Sequence, residues 1–449
     1  MSDRSPNVQE RSRGLDRRRF LGCSAAALVG SAFPRKGNPL FGEIRPPEVT
    51  SPPKIKEYRV LGRTGFKVSD ISLGGGEATD PSLVEAVLDS GINYIDAAEN
   101  YVNGQVEAAV GKALKNRDRK SVFITTKLGL GKDVSKAGIL GRARKCLERL
   151  QTDYVDCLQI HCPPTAAALK TEGFHEAVRE LKAEGRVRFC GLSQHGAQWN
   201  DVSETMEQVV GAAAEDGRFD LVLFVYNFIQ TGQGSRLLKL CRDKDIGTTI
   251  MKANPVGTYA FIERYVEAGE KEGEKRDPAV TALLGRLKRV ADQAEGFKKD
   301  FDLKNTADVR RAAYQFVLSN PDVNTVCCTI GSYDTLEAYV SLSGTKLSAG
   351  GADKLAGYAA TYGQLYCRHA CGRCESHCPA GVPVNTIMRY SHYFHSQGRE
   401  KHAMAEYAAL PANRADACRN CAGPCQAACP YGIPVQGLLS LAHDTLTLG

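Results

Sequence analysis

Three apolar, strand-like runs in the first half of the chain each contain an ionisable residue at or near their end, namely Asp96, Lys127 and His161. The runs are NYIDAA (93–98), VFITTKL (122–128) and VDCLQIH (155–161). Tyr101 follows five residues after Asp96, on the loop beyond the same run. A tyrosine hydroxyl beside a lysine ammonium can pass a proton to a carbonyl oxygen during hydride transfer, so we ask whether the fold brings these four side chains together.

Each of the four side chains has a place in such a reaction. Free tyrosine titrates at about 10, too high for a neutral base, and an ammonium at Lys127 is expected to lower the pKa of Tyr101. Asp96 would keep Lys127 charged and oriented. A neutral His161 would hydrogen-bond the carbonyl oxygen and polarise it. We therefore predict Tyr101 as general acid in reduction and general base in oxidation. The alternative is a structural Asp96–Lys127 ion pair against which Tyr101 merely packs.

A second group of reactive side chains lies near the end of the chain, where eight of its 16 cysteines are crowded. They form two similar units, Cys367-x3-Cys371-x2-Cys374-x3-Cys378-Pro and Cys418-x2-Cys421-x3-Cys425-x3-Cys429-Pro. Three thiolates on one short loop can reach a single [4Fe–4S] cubane. The repeat resembles the bacterial two-cluster ferredoxin pattern, in which the fourth cysteine of each unit binds the other cluster.

That resemblance implies two crossed sets of cluster ligands. One set is Cys367, Cys371, Cys374 and Cys429, and the other is Cys418, Cys421, Cys425 and Cys378. Zinc also takes four thiolates and is an alternative. Disulfides are another for an exported protein, although such tight spacing would strain them. His369 and His377 lie inside the first unit and receive no role. The remaining cysteines between 146 and 328 are interpreted as small core residues.

The elements that would position these residues repeat between about 58 and 345. Apolar runs alternate with amphipathic helical stretches, and the runs cover 70–75, 93–98, 122–128, 155–161, 187–193, 221–227, 247–253 and 325–331. Continuously apolar strands are typical of a parallel sheet covered on both faces. Eight β–α units predict an α/β fold, a TIM (β/α)8 barrel, whose active site lies at the C-terminal ends of its strands.

Three further segments accompany the barrel. YRVLGRTGFKVS (58–69) predicts a hairpin ahead of the first barrel strand. The charged stretch between 254 and 304 predicts one or two helices in a loop at the barrel's C-terminal face, or a solvated spacer. The residues from 389 to 410, between the cysteine units, predict helices that either separate the units or form a docking face. The C-terminal part is thus expected to be a mainly helical, ferredoxin-like domain with two [4Fe–4S] clusters.

The first 33 residues predict a twin-arginine signal peptide. DRRRFLG (16–22) supplies the paired arginines, and the 13 residues from Leu21 to Phe33 are too few for a membrane-spanning helix. The twin-arginine route exports folded proteins, so we expect the export machinery as a partner and a periplasmic or exported location. The alternative is a basic disordered tail. The predicted domains are the signal peptide (1–33), a proline-rich linker (34–56), the barrel (57–345) and the iron–sulfur domain (358–449).

Charge and hydropathy exclude two classes of partner. The net charge is +7, and residues 1–33 contain six arginines against three acidic residues. The remaining charge is too small and too dispersed to indicate a nucleic-acid-binding surface. No apolar run is long enough for a stable membrane span.

Three segments carry a family resemblance. GINYIDAAENYVNGQVEAAVGKALK (91–115) resembles the aldo-keto reductase signature, and YVDCLQIH (154–161) resembles its strand-four signature ending in histidine. LKAEGRVRFCGLS (181–193) is similar to the segment that leads to the family's cofactor-binding serine. The similarity covers roughly 57–345. It implies that Asp96, Tyr101, Lys127 and His161 are the catalytic tetrad.

The same resemblance implies NADP(H) or NAD(H) as cofactor. The corresponding contact positions are Ser193, Gln194, Met251, Lys252, Gly331 and Ser332. Gln194 stands where the family has asparagine, and Leu223 replaces a strand-six glutamine. No Lys-Ser-x-x-x-Arg for a 2′-phosphate follows the last strand, so the choice between the two nucleotides stays open.

These observations predict an NAD(P)-linked oxidoreductase acting on a small-molecule carbonyl or alcohol. The clusters would be structural or would serve a redox partner protein. The alternative is an exported iron–sulfur electron-transfer protein that uses the barrel as a scaffold. Family analogy also permits a sugar-processing role, for which no pocket residue argues.

Overall fold

The computed structural model describes residues 52–131, 133–196, 204–257, 278–303, 306–410 and 414–447. The predicted signal peptide and most of the predicted linker lie outside the described residues, as does the charged part of the long insertion. In the parts of the chain that are described, no helix combines the length and the apolar character needed to cross a bilayer.

Eight parallel strands close into a barrel in the order β10-β3-β4-β5-β6-β7-β8-β9. Their bounds are β3 Ile71–Gly74, β4 Tyr94–Asp96, β5 Phe123–Gly129, β6 Val155–His161, β7 Val187–Gln194, β8 Leu221–Val225, β9 Gly247–Met251 and β10 Thr325–Thr329. Most strand residues are buried, because helices cover the outer face and side chains fill the interior. The predicted TIM barrel is confirmed.

Nine helices of the described chain belong to the barrel region: α1 Pro81–Asp89, α2 Gln105–Leu114, α3 Lys136–Leu150, α4 Glu172–Ala183, α5 Met206–Asp216, α6 Thr231–Asp243, α7 Pro278–Asp300, α8 Ala307–Leu318 and α9 Tyr333–Val340. Side-chain caps fix the starts of α1, α3, α5 and α9. Ser135 accepts from the Gly138 N–H at the start of α3, and Thr205 and Gln208 form a capping box at α5. α7 lies in the predicted insertion, as expected for one of its helices.

The predicted hairpin is also present. β1 (Tyr58–Val60) pairs antiparallel with β2 (Lys67–Ser69). Leu61 and Val68 are fully buried in a cluster with the first residues of three barrel strands, Tyr94, Phe123 and Leu221. The hairpin therefore closes the N-terminal end of the barrel.

The segment after the barrel is helical, with α10 Ala349–Tyr362, α11 Val384–Gln397, α12 Glu400–Ala408, α13 Pro424–Ala427 and α14 Val435–Leu446. α10 continues past residue 358, where the iron–sulfur domain was predicted to begin. One hydrophobic cluster joins these helices to α7 and α8, with Leu287, Tyr358, Ile387 and Leu439 among its members. The barrel and the cysteine-bearing segment thus belong to one compact unit.

Candidate active site

The barrel strands bring the four predicted catalytic residues to one mouth. Asp96 and His161 are the last residues of β4 and β6, and Lys127 lies two residues before the end of β5. Parallel register places Gly129 of β5 opposite His161, so these strand ends lie side by side. Tyr101 begins a short 3-10 turn beyond β4.

Lys127 is the centre of this group. Its Nζ donates to Asp96 Oδ2 at 2.7 Å, to the Ala97 carbonyl at 2.7 Å and to Tyr101 Oη at 3.2 Å. The side chain is fully buried, so its charge needs a partner. Burial disfavours the ammonium, but Asp96 outweighs that effect and raises the pKa of Lys127. The ion pair and its contact with Tyr101 are present as predicted.

Burial sets the protonation of the other two groups. It raises the pKa of Tyr101 above its usual value, and Lys127 offsets this only in part. Lys127 lowers the pKa of Tyr101, as predicted, but the free-energy cost of burying the phenolate is larger, so the pKa is raised overall. Burial and the charges of Lys127 and Arg389 hold the pKa of His161 well below its usual value. His161 is therefore neutral, as predicted, and its ring centroid lies 5.7 Å from that of Tyr101.

The β7 positions differ in what they can offer a cofactor. Ser193 lies opposite His161 in the sheet, and its Oγ accepts from the Cys162 N–H at 3.4 Å. Gln194 donates from Nε2 to the Pro163 carbonyl at 2.6 Å and accepts from the Gly196 N–H at 2.7 Å. Its amide therefore holds two loops together instead of presenting a free carboxamide.

Of the remaining cofactor positions, Lys252 lines a cavity at the ends of β9 and β10, whereas Met251, Gly331 and Ser332 are not among its lining residues. Met251 ends β9 and Lys252 lines the cavity. Gly331 and Ser332 lie between two other lining residues, Thr329 and Thr335, and the Ser332 hydroxyl caps α9 by accepting from the Thr335 N–H at 3.2 Å. The cavity is also lined by His392 and Ser396 of α11 and by Arg310, Tyr314 and Tyr339.

The C-terminal segment lies directly on this mouth, which the sequence did not predict. Arg389 Nη1 donates to the His195 carbonyl at 3.2 Å, and Arg399 pairs with Glu77 at 2.6 Å. Gln230 Nε2 donates to the His369 carbonyl at 2.7 Å. These contacts of α11 are with the barrel of the same chain, so the choice between a spacer and a docking face for residues 389–410 stays a prediction.

Lys252 contacts this segment. Its Nζ lies 3.0 Å from His195 Nδ1 and 3.2 Å from His369 Nδ1. His369, to which the sequence assigned no role, is thus a neighbour of the site. Lys252 has φ +55° and Cys162 has φ +50°, a left-handed conformation uncommon outside glycine. Strained backbone directly after two strand ends is typical of functional positions.

The eight C-terminal cysteines form two groups. Cys367, Cys371, Cys374 and Cys429 line one small cavity, which is the first predicted ligand set. Burial and the neighbouring thiols of Cys425, Cys378 and Cys421 raise the pKa of Cys418 to about 12. Two backbone N–H groups, of Val382 and Gly423, donate to Cys378 Sγ at 3.3 Å and to Cys421 Sγ at 3.4 Å.

These groups fit a metal centre better than disulfides. All cysteines in the described residues are free, including the seven in the barrel. Four thiols line one cavity in the first group, and two thiols of the second group accept backbone N–H donors; both features suit iron–sulfur clusters, although four thiols alone would also suit zinc. The barrel cysteines are buried apart from the partly exposed Cys327, and Cys162 contacts Ser193 at the mouth.

Residues 76–357 match the model of the aldo/keto reductase family. The matched range ends before the cysteine units. The chain is 33% identical over 314 residues to the aldo-keto reductase YhdN of Bacillus subtilis, covering 65% of this chain and 90% of that protein. It is 28% identical over 246 residues to the NADH-specific methylglyoxal reductase of Escherichia coli, covering 47% of this chain and 72% of that protein.

Among solved structures, the chain is similar to the holo form of aldo-keto reductase AKR11C1 from Bacillus halodurans. The two share 25% sequence identity with a TM-score of 0.49, and the match covers 67% of this chain and 95% of that one.

Proposed function

Since the chain belongs to the aldo/keto reductase family of NAD(P)-dependent oxidoreductases, we propose that it reduces the carbonyl group of a small molecule, or oxidises the corresponding alcohol, through Tyr101. The observation that carries this proposal is the contact of Tyr101 Oη with Lys127 Nζ at 3.2 Å, with Asp96 holding the lysine charged. A bound nicotinamide would supply or accept the hydride.

The residues of the mouth perform the proton chemistry. In reduction, negative charge develops on the carbonyl oxygen. The Tyr101 hydroxyl donates its proton to that oxygen, and neutral His161 donates a hydrogen bond to it. Lys127 stabilises the phenolate that remains. In oxidation the phenolate accepts the alcohol proton. Because burial raises the pKa of Tyr101, its hydroxyl is protonated at neutral pH and can serve as the acid of the reduction.

The cavity at the ends of β9 and β10 supports the nucleotide site. Lys252 and Thr335 line it, and Thr335, in the first turn of α9, forms a capping box with Ser332. The free N–H groups and dipole at a helix start attract phosphate. Ser193, next to His161 in the sheet, would contact the carboxamide. Both NADH and NADPH suit these residues.

Nucleotide binding and one hydroxyl test the proposal. We expect saturable binding of NADPH or NADH, followed by nicotinamide fluorescence, to anaerobically purified protein. Tyr101→Phe should keep that binding and lose about 100-fold or more in aldehyde reduction. Tyr58→Phe, at the closed end of the barrel, is the matched control and should change neither. Full activity in Tyr101→Phe, or no binding of either nucleotide to nucleotide-free protein, would overturn the proposal.

We propose that the two cysteine groups hold two [4Fe–4S] clusters, which are structural or transfer electrons to a partner protein. The converging thiols and the N–H donors to sulfur support this, together with the ferredoxin-like spacing. The paired Arg17 and Arg18 support export by the twin-arginine route to the periplasm. Replacing both arginines by lysine should leave the protein in the cytoplasmic fraction of cells, whereas a protein still exported would contradict that route.

A second candidate function is favoured by the covered mouth. α11 lies over the strand ends, and the Gln194 amide is bonded to backbone groups. Both observations suit an exported iron–sulfur electron-transfer protein that keeps the barrel as a scaffold. The Tyr101→Phe experiment separates the two candidates, because a scaffold does not need that hydroxyl.

A further inference from the structure

Three side chains that can bind a metal ion meet where β6 and β7 end. His161 is the last residue of β6, Cys162 follows it directly, and His195 follows the last residue of β7. One donor atom from each lies within 4.8 Å of the other two. Ligand atoms around a tetrahedral zinc ion lie about 3.5 Å apart, given bonds of about 2.0–2.3 Å. The group is therefore at most about 1.3 Å too wide, a gap that small side-chain rotations can close.

The backbone holds Cys162 in this place. Its N–H donates to the Ser193 carbonyl of the neighbouring strand at 3.0 Å, and Ser193 Oγ lies 3.4 Å from the same nitrogen. Cys162 has φ +50°, a conformation that costs a non-glycine residue free energy and persists only where its surroundings fix it. The end of β6 thus fixes the backbone that carries this thiol.

His161 has an unused ligand atom. Its Nδ1 is buried and makes no hydrogen bond with the described part of the chain, and the residue is only 6% exposed. A buried polar nitrogen without a partner is costly unless a ligand or a water molecule satisfies it. Imidazole nitrogens are common zinc ligands, so a bound ion would satisfy this atom.

The donor set selects the kind of ion. It consists of two imidazoles and one thiol, with no carboxylate in the group. Magnesium and calcium prefer oxygen ligands, whereas zinc takes nitrogen and sulfur ligands. Three protein ligands also leave the fourth position of a tetrahedral zinc ion open to water or to a substrate oxygen.

The charges around the group set how tightly an ion binds. Lys252 Nζ lies 3.0 Å from His195 Nδ1, so a bound ion uses Nε2 of that ring or displaces the lysine. The charges of Lys127 and Arg389 act on the same group of ligands. These cations oppose a metal ion, whereas a Cys162 thiolate bonded to the ion contributes a negative charge. Binding therefore depends most on the thiolate.

We propose that His161, Cys162 and His195 bind one zinc ion, and that the bound ion inhibits the reductase. On binding, the Cys162 thiol releases its proton to solvent, a Zn–S bond forms, and no electron is transferred. The inhibition rests on the proposed function, whereas the binding of zinc does not.

The inhibition follows from what surrounds the group. In the proposed reaction His161 donates a hydrogen bond to the substrate carbonyl, and its ring centroid lies 5.7 Å from that of Tyr101. Ser193 would contact the nicotinamide carboxamide, and Cys162 Sγ lies 3.8 Å from Ser193 Oγ. An ion held by His161 and Cys162 is thus adjacent to the positions of both reactants and competes with them for these side chains.

The C-terminal cysteine groups are the other places where zinc could bind, and the ligand atoms tell the sites apart. X-ray absorption at the zinc edge would be measured on the full-length, cluster-loaded protein with one equivalent of zinc. We expect one sulfur at about 2.3 Å and two imidazole nitrogens at about 2.0–2.1 Å. A spectrum with four sulfurs would overturn the inference. Iron analysis before and after zinc addition checks that the clusters are retained.

Variants identify the ligands. In anaerobic equilibrium dialysis, Cys162→Ala and His195→Gln should each bind zinc about ten-fold or more weakly than the native protein. His195 is partly exposed, so its replacement tests the site without opening a core cavity. Cys190→Ala removes another buried barrel cysteine and should leave the affinity unchanged. Lys252→Met should bind zinc more tightly, because a positive charge is removed. Equal affinity in native protein and Cys162→Ala, or no bound zinc, would overturn the inference.

Turnover tests the inhibition separately. Zinc at a concentration that saturates only the native site should lower kcat/KM for aldehyde reduction about ten-fold or more in native protein and in Cys190→Ala. The ratio of kcat/KM without and with zinc should stay near one in Cys162→Ala and His195→Gln. Equal inhibition of Cys162→Ala, or bound zinc without inhibition, would overturn the inhibitory role. Absence of reduction by the zinc-free protein would count against the proposed function, and the binding results alone would then decide on the zinc site.

Discussion

Lys127 shows how one buried charge can organise an active site. Its ammonium is removed from water and holds Asp96, the Ala97 carbonyl and Tyr101 at once. A buried ammonium without a counter-charge would be strongly destabilising, so removing Asp96 should cost stability at the barrel mouth.

We predict that Asp96→Ala lowers the free energy of unfolding by about 3 kcal/mol, since it leaves the Lys127 charge buried without its carboxylate. Urea denaturation measures the change. Asp243→Ala, which breaks an exposed pair with Lys239 on α6, is the control and should show no measurable effect. An equally small effect of Asp96→Ala would mean that Lys127 is neutral.

The pKa shifts predict the pH dependence of catalysis. Reduction needs protonated Tyr101, and a raised pKa extends that form to higher pH. A neutral His161 removes any titration near its usual value. The kcat/KM for reduction should therefore be flat from about pH 6 to about pH 9, whereas oxidation should rise with pH. A fall in reduction within that range would show that the effect of Lys127 on the pKa of Tyr101 outweighs that of burial.

At this scale the sequence predicted the tetrad but missed the residues across the mouth. Asp96, Lys127 and His161 lie at or near the ends of apolar runs, and the ends of parallel barrel strands converge at one mouth. Their proximity could therefore be predicted from the sequence. No such pattern in the sequence indicates which residues contact Lys252. His195 and His369 are 57 and 117 residues away from it, and only the docked C-terminal segment brings them together.

At the scale of elements, α11 is the feature that most changes access to the site. It forms one wall of the cavity at the ends of β9 and β10, whose volume is about 100 Å³. Pockets for small molecules usually span ~300–1,000 Å³. A dinucleotide would therefore need α11 to shift away from the strand ends before it could occupy the cavity.

The contact between Gly257 and α11 offers a way to test this. A Cβ at Gly257 would lie 2.3 Å from Ser396 Cβ and 2.9 Å from Ser396 Cα, so Gly257→Ala must displace the helix. We expect a loss of about 1–3 kcal/mol in stability and faster hydrogen exchange in α11. Adding Ser396→Gly should restore part of both.

The matched control for that experiment is Gly211→Ala. Gly211 lies within α5, and a Cβ there would meet nothing within 4 Å. Alanine is the better helix former, so stability should stay the same or rise slightly. Unchanged exchange in α11 of Gly257→Ala would show that the helix does not rest on this loop.

The strands were easier to predict than the covering helices. The run 155–161 matches β6 at both ends, because a fully buried strand is continuously apolar. The residues of α11 predict a helix, but the surface against which this helix packs depends on single contacts, such as that of Arg389 with the His195 carbonyl. No periodicity in the sequence encodes such a contact.

At the scale of the whole molecule, the cysteine-bearing segment and the barrel share packing and polar contacts. Leu287 of α7 and Leu439 of α14 lie in one hydrophobic cluster, and the loop between Cys367 and Cys371 presents His369 to Lys252. A change at the first cysteine group can therefore reach the catalytic mouth through one residue.

We predict that Cys429→Ala reduces the iron of anaerobically purified protein from about eight atoms per chain to about four, because it removes one ligand of the first group. Colorimetric iron analysis and visible absorbance measure this. Cys241→Ala, in the barrel core, should keep full iron content. Stoichiometric zinc in place of iron would overturn the cluster proposal. Weakened NADPH binding in Cys429→Ala would show that the cysteine segment supports the mouth.

The hairpin at the base of the barrel has a kinetic consequence. Leu61 and Val68 cover one end of the barrel and side chains fill its interior, so a ligand reaches Tyr101 from the mouth at the opposite end. Substrate and product then use the same opening, which α11 borders. We expect product release, and not the chemical step, to limit turnover. Slow product release would appear as burst kinetics, with a rapid first turnover followed by a slower steady-state rate.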